Sequence, residues 1–327
     1  MKYGIIGTGW IAESFIAGAR LLCNAEIAAV YSRTREKGED FAKRNNIPAV
    51  FTSLDEFSEG DFEAVYIASP NALHYSQSMK MIKAGKNVIC EKPVTVLPEE
   101  FEACLAQAEK NEVVYIEAIM YMHTPNREKL KAAVEKIGNI NSVHFDFSQL
   151  SSKYPAYLRG ETPNIFNPAL ATGCLMDLGV YCVYPAIDIF GEPKKLTADS
   201  VFMRTGADSS GAALLNYGDK LVTLTYSKTG QDDSGSCIYG DKGTIEIESI
   251  SKLVNITLTD NDGKKSIVCP DMPKEEIMGY EALEFESFVR GENRDKYALC
   301  SKRSLQVSCL MKQIRDISEI RFTEVSQ

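Results

Sequence analysis

The stretch Lys2-Tyr3-Gly4-Ile5-Ile6-Gly7-Thr8-Gly9-Trp10-Ile11-Ala12 decides the fold. An apolar run from Tyr3 to Ile6 passes without a break into G-x-G-x-x-A, and a helical period begins at Trp10. Gly7 permits the tight turn, Gly9 lets backbone N–H groups approach a pyrophosphate, and Ala12 lets helix and strand pack closely where the helix dipole favours an anion. Thr8, Trp10 and Ile11 complete the loop that would line such an anion. Taken alone the hexapeptide is equally a glycine-containing turn. Its place after the first strand of a βαβ unit is what marks a dinucleotide site.

Working outward, short apolar runs at residues 3–6, 27–31, 64–68, 87–90 and 113–118 alternate with helical periods at 10–22, 35–45, 72–84 and 99–111. That alternation predicts a parallel sheet wrapped by helices, an α/β Rossmann-type domain spanning 1–121. The unbroken run Ala-Val-Tyr-Ile-Ala at 64–68 fits a strand buried on both faces. After Thr124-Pro125 a single helical period, 127–137, gives way to strand candidates at 142–149, 196–203, 211–217, 220–227, 237–239, 243–249 and 253–259. Turn chemistry at Asn216-Tyr217-Gly218-Asp219 and Gly240-Asp241-Lys242-Gly243 joins neighbouring strands as hairpins. The second domain, 122–327, is therefore expected to be α+β with an open, mostly antiparallel sheet, closed by helices at 281–290 and 304–319.

Length and composition narrow the partners. At 327 residues the chain is about twice a typical domain, and its 45 acidic against 36 basic residues give a net charge of −9. A nucleic-acid footprint or an anionic membrane surface is not expected, and a small-molecule partner is. Apolar runs are read as stopping short of the ~18 residues of a membrane span. Nine cysteines without a C-x-x-C pair, behind an N-terminus without a leader-like pattern, predict a reducing cytoplasm. Three scattered histidines, His74, His123 and His144, lack metal-ligand spacing, so no metal is expected.

The second strand ends in Tyr31-Ser32-Arg33 with no acid, and Lys37 lies one helical turn further on. An acid there would bind ribose hydroxyls, whereas cations suit a 2′-phosphate. Ser32, Arg33 and Lys37 are read as a phosphate clamp selecting NADP, with NAD left open. Both cations are otherwise ordinary solvated residues at a helix start.

Three further segments carry a family resemblance: Ser69-Pro70-Asn71-Ala72-Leu73-His74, Glu91-Lys92-Pro93, and Gly173-Cys174-Leu175-Met176-Asp177-Leu178-Gly179-Val180-Tyr181-Cys182. With the glycine loop they resemble the glucose-fructose oxidoreductase / inositol dehydrogenase family (Gfo/Idh/MocA) of NAD(P)-dependent oxidoreductases, nearest to the dihydrodiol and D-xylose dehydrogenase branch. The resemblance implies hydride transfer between a nicotinamide and a secondary alcohol or carbonyl of a sugar, polyol or cyclic diol. Lys92 would stand beside the nicotinamide and stabilise alkoxide charge, Tyr181 would relay the substrate proton, and Asp177, sharing a helix face with it, would orient the site. Ser69, Pro70, Asn71, His74 and Glu91 would line the cofactor, although His74 is equally a packing residue. The alternative is a sensor of the same fold without turnover; retention of both Lys92 and Tyr181 favours the enzyme.

Two departures from the family pattern bear on the substrate: Met122 stands where arginine is usual, and Thr172 replaces the first of two glycines. The segment 150–171, with Tyr154, Tyr157, Arg159, Asn164, Phe166 and Asn167, is expected to form part of the substrate wall. Apolar alternation at Val222, Leu224 and Tyr226 predicts a sheet face that needs cover, hence a homodimer or homotetramer built through the C-terminal sheet.

Overall fold

The computed structural model describes residues 1–322, which divide into two compact units. The first combines Met1–His123 with Pro273–Leu305. Its strands are β1 (Lys2–Ile6), β2 (Glu26–Tyr31), β3 (Ala49–Phe51), β4 (Ala64–Ile67), β5 (Asn87–Glu91) and β6 (Tyr115–Ala118). They form one parallel sheet in the order β3-β2-β1-β4-β5-β6. Helices α1 (Trp10–Cys23), α2 (Arg35–Asn45), α3 (Leu54–Ser58), α4 (Asn71–Lys83), α5 (Pro98–Lys110) and α6 (Met120–His123) lie between or after the strands. All four residues of β4 are fully buried, as a strand covered on both faces requires.

The sequence reading lacks β3 and α3. Strand β3 is a three-residue edge strand of half-buried residues, too short for a periodicity to show. Helix α3 is a five-residue turn whose cap, Ser53 accepting from Glu56 N–H at 3.4 Å, is its one local signal.

A cut after residue 121 would also leave out α10 (Lys274–Val289), which packs on α1 in the first unit. The two helices touch backbone to backbone. A Cβ at Gly18 would meet Glu275 O and Gly279 N at 2.5 Å, and one at Gly279 would meet Gly18 O at 2.8 Å. Only glycine fits either position, so this crossing fixes where α10 returns.

The second unit comprises Thr124–Met272 and the chain from Gln306 on. After α7 (Asn126–Val134) come β7 (Ile140–Ser148), the short α8 (Tyr154–Leu158), α9 (Val180–Phe190), β8 (Lys195–Phe202), β9 (Asp208–Asn216), β10 (Leu221–Ser227), β11 (Ser236–Gly240), β12 (Gly243–Ser249), β13 (Val254–Asp260) and β14 (Lys265–Cys269). The final helix, α11 (Arg294–Ile317), starts before this unit's second segment. The sheet order is β14-β13-β12-β11-β7-β10-β9-β8, with β7–β10 the parallel pair. The exposed edge strand β14 has no apolar alternation, and the sequence reading lacks it for that reason.

Two expectations change here. Pro168–Phe190 is long and apolar enough to span a membrane by length and composition, contrary to the reading of short runs, but 89% of its hydropathy window is buried inside the protein. It is the core segment of the second unit. Val222, Leu224 and Tyr226, at 0–1% exposure, are covered from within by that segment, so they do not call for a partner. The opposite sheet face is the open one. Pairing of Leu214 with Thr223, Thr223 with His144, and His144 with Cys237 puts Leu214, Leu221 and Tyr239 on that one face, all exposed.

Candidate active site

In the first unit the strand order reverses between β1 and β4, and the C-terminal ends of strands beside such a switch point hold ligands in open α/β sheets. Gly7 and Gly9 are glycines for different reasons. Gly7 has φ +113° and a Cβ there would meet Ala68 O at 2.5 Å, so the chain's own backbone demands it. A Cβ at Gly9 would have nothing within 4 Å. The space Gly9 leaves is open, at a helix N-terminus that no side chain caps. A cradle of this kind fits a dinucleotide diphosphate. Ala12 is fully buried, Thr8 and Ile11 are half-buried, and Trp10 is exposed with the Lys274 ammonium 3.7 Å from its ring centroid.

At the tip of β2, Ser32 is buried against Gly38 and its N–H donates to Phe51 O at 3.0 Å. The two cations of the expected clamp, Arg33 and Lys37, follow it. Both are exposed, and among the described residues neither makes a side-chain hydrogen bond or ion pair.

Three residues read as cofactor contacts bond within the chain. His74 is fully buried, with Nδ1 2.8 Å from Pro93 O and Nε2 2.8 Å from Ser69 O. It ties the S-P-N-x-x-H segment to the E-K-P segment, and burial holds its imidazole below the usual range against the pull of those carbonyls. Ser69 Oγ donates to Gln77 Oε1 at 2.6 Å. Glu91 accepts from Tyr66 OH at 2.5 Å and from Lys92 N–H at 3.2 Å, inside the domain. Pro70 precedes α4 and Asn71 opens it, so both stay at the strand-end surface. Lys92, half-buried, leads into a cis Lys92–Pro93 peptide, and Val94 N–H is held by Glu117 Oε1 at 2.9 Å. Glu281 of α10 is buried too, its Oε2 without a hydrogen-bond partner; desolvation and the nearby Glu91 charge push its carboxyl well up.

In the second unit Asp177 lies in a π-helical turn, Leu175–Gly179, and Tyr181 opens α9, so the expected shared face of a single α-helix is replaced by a wider turn. The Tyr181 ring meets Phe147 edge-on at 5.4 Å. Asp177 pairs with the ammonium of Lys228, which is buried. Asp208 accepts from Leu175 N–H at 2.6 Å and fills the space that Gly173 leaves for want of a side chain. Sequence reasoning missed Lys228, Asp208, Lys274 and Glu281. They belong to no local motif: Lys274 and Glu281 lie on a helix late in the chain but within the first unit, and Lys228 and Asp208 on or just past strands of the second.

The departures acquire roles. The Thr172 hydroxyl lies 2.8 Å from Asn164 O and 2.9 Å from Asn167 O, stitching the preceding loop to the Asp177 turn. Met122 is fully buried core. In the expected substrate wall, Phe166 is also core, and Tyr157 is held by Arg204, stacked 4.2 Å from its ring. His123, Glu284 and Cys300 bring donor atoms within 4.8 Å of one another, but Lys296 already pairs with Glu284.

Asp208 supplies a stability test. Burial pushes its carboxyl up to about 6 from 3.8. Between those pH values the folded chain holds a proton that the unfolded chain has released, so this group's contribution falls as pH rises through about 4 to 6. Asn at this position keeps the acceptor for Leu175 N–H and removes the titration. Urea unfolding across that range should show the wild type losing about 3 kcal/mol relative to Asp208→Asn; a constant difference would contradict the buried carboxyl.

Comparison with known proteins agrees with this geometry. Residues 1–119 match the NAD-binding Rossmann fold of the Gfo/Idh/MocA oxidoreductase family, and residues 128–246 match the family's C-terminal domain. The chain is 36% identical over 317 residues to the scyllo-inositol 2-dehydrogenase (NADP(+)) IolU of Bacillus subtilis, covering 96% of each. It is 29% identical over 255 residues to the trans-1,2-dihydrobenzene-1,2-diol dehydrogenase of Sus scrofa, covering 76% of this chain and 74% of that one. The 3-ketoreductase KijD10 of Actinomadura kijaniata, solved with NADP and TDP-benzene, shares the fold at a TM-score of 0.85 and 20% identity, covering 97% of this chain and 98% of that one. The chain belongs to the Gfo/Idh/MocA family of NAD(P)-dependent oxidoreductases.

Proposed function

We propose that this oxidoreductase prefers NADP and interconverts a secondary alcohol and a carbonyl on a polyol, sugar ring or cyclic diol. One observation supports the cofactor choice above others: β2 ends without an acid and is followed by two exposed, unpaired cations, Arg33 and Lys37. The substrate class rests on the Bacillus subtilis relative, whose name gives scyllo-inositol and NADP(+).

When bound, the nicotinamide supplies or accepts the hydride. The chain's own residues handle the proton. Tyr181 as phenolate takes the proton from the substrate hydroxyl during oxidation, and as phenol returns it during reduction. The Lys92 ammonium lowers the cost of alkoxide charge. Asp177, held by Lys228, accepts a hydrogen bond from a substrate hydroxyl. A second copy of the chain is the partner we assign to the open sheet face bearing Leu214, Leu221 and Tyr239. The absence of any disulfide among the described residues is compatible with a reducing cytoplasm.

Three measurements test this reading. Charge-assisted phosphate contacts are worth roughly 1.5 to 3 kcal/mol each, so NADP should bind about tenfold or more tightly than NAD. The sole tryptophan, Trp10, sits in the cofactor loop, so its fluorescence reports both titrations; equal affinities, or NAD the tighter, would refute the preference. Across a panel of inositols, aldoses and cyclic diols, Tyr181→Phe should lose about 10²- to 10⁴-fold in kcat with NADP affinity retained, and Lys92→Met at least as much. Variants within about threefold of wild type would place the proton path elsewhere, and a wild type inert on the whole panel would favour a sensor. Light scattering should give at least a dimer, which Leu214→Glu dissociates. A wild-type monomer at micromolar concentration would leave the open face without its assigned partner.

A further inference from the structure

We infer that Lys228 is a positioning residue for this reaction: its buried ammonium keeps the Asp177 carboxyl ionised and fixes where that carboxyl points. The catalytic consequence rests on the reading of Asp177 as the acceptor for a substrate hydroxyl. The Lys228 side chain is 5% exposed. A lysine so deprived of water must be paired, and a pair broken on one side leaves a costly lone charge. The backbone gives this ammonium little freedom. Lys228 N–H donates to Ser209 O at 2.8 Å and Lys228 O accepts from Ser151 N–H at 2.9 Å, so the residue is pinned on both sides just past the end of β10.

The turn that carries Asp177 is pressed against the same strand. Gly179 lies so close to Tyr226 of β10 that a Cβ would fall 3.1 Å from its ring. The neighbouring strand β9 holds the start of the turn through Asp208 and Leu175 N–H. Two charged side chains from adjacent strands thus bracket one turn. One holds its first free N–H, and the other holds its functional carboxylate. Among the described residues, Asp177 and Cys174 from the turn segment and Asp208 from β9 interact with Lys228, and Tyr226 on β10 interacts with Asp208 and Cys174. Asp208 competes for the same ammonium, and it is already committed to a backbone N–H.

Were the pair mere internal glue, its loss would lower thermal stability and nothing else. A positioning residue predicts more. Carboxyl-selective carbon NMR on the full chain, with the Asp177 resonance assigned by its absence in Asp177→Asn, should show its titration midpoint rising by about one pH unit or more in Lys228→Met. Lys228→Arg, which keeps the charge, should hold it near wild type. Should Lys228→Met fail to fold, Lys228→Gln keeps a donor without the charge and gives the same reading. In turnover on scyllo-inositol, Lys228→Met should raise KM about tenfold or more and shift the acid limb of kcat/KM upward by the same amount as the NMR midpoint, with NADP affinity unchanged. An unmoved Asp177 midpoint overturns the proposal, as does a variant that loses thermal stability alone. If wild type turns over none of the panel, the functional reading falls while the titration still decides what Lys228 does to Asp177.

Discussion

Strands β1, β4 and β5 are buried along their length, so charged side chains are confined to their ends, Lys2 at the start of β1 and Glu91 at the close of β5. The first unit's chemistry is accordingly concentrated at strand ends. Gly7 and Gly9 follow β1, Arg33 follows β2, Ser69 and Asn71 follow β4, and Lys92 follows β5. Because the sheet is parallel, all these ends lie on one edge, where helix N-termini also begin. The return of α10 to this unit adds Lys274 over Trp10 and Glu281 in the interior. That return depends on Gly18 and Gly279, since any side chain at either would drive the two helix backbones apart.

The second unit solves a different problem. Its antiparallel sheet covers one face with a very apolar segment, Pro168–Phe190, and that segment must nonetheless present an aspartate and a tyrosine. Carrying Asp177 through an apolar layer demands a buried counter-charge, which Lys228 provides, and the turn's unpaired N–H demands an acceptor, which Asp208 provides. Gly173 is the price of the second arrangement, because a side chain there would occupy the space of the Asp208 carboxyl.

How much of this the sequence discloses follows from how local each signal is. The glycine loop, the E-K-P segment and the Asp177–Tyr181 stretch are contiguous, and their chemistry can be read in place. The direction in which a side chain points is another matter. His74 and Glu91 sit at the strand ends where a cofactor contact is expected, yet each bonds within the domain, to the carbonyls of Ser69 and Pro93 and to Tyr66. Groups supplied from far along the chain leave no local trace. Nothing around Lys228 distinguishes it from a surface lysine after a strand. The same holds for domain limits, because the helical period near 281–290 is visible but the unit it packs with is not. Strands β3 and β14 escape for want of apolar alternation.

The buried carboxyls behind Lys92 close the electrostatic picture of the first unit. Glu91 and Glu281 are both withdrawn from water, and burial pushes each carboxyl upward, with the charge of Glu91 raising Glu281 further. The charge of each opposes ionisation of the other. Glu91 accepts from the Tyr66 hydroxyl and from Lys92 N–H, and the Lys92 charge also favours its ionised form. Glu281 has an oxygen without a hydrogen-bond partner and only the Lys274 charge in its favour. Of the two carboxyls, Glu91 therefore has the more support for its charge, and part of that support comes from Lys92. A helix residue with no place in any motif thus bears on the carboxyl that adjoins the lysine the sequence marks most plainly.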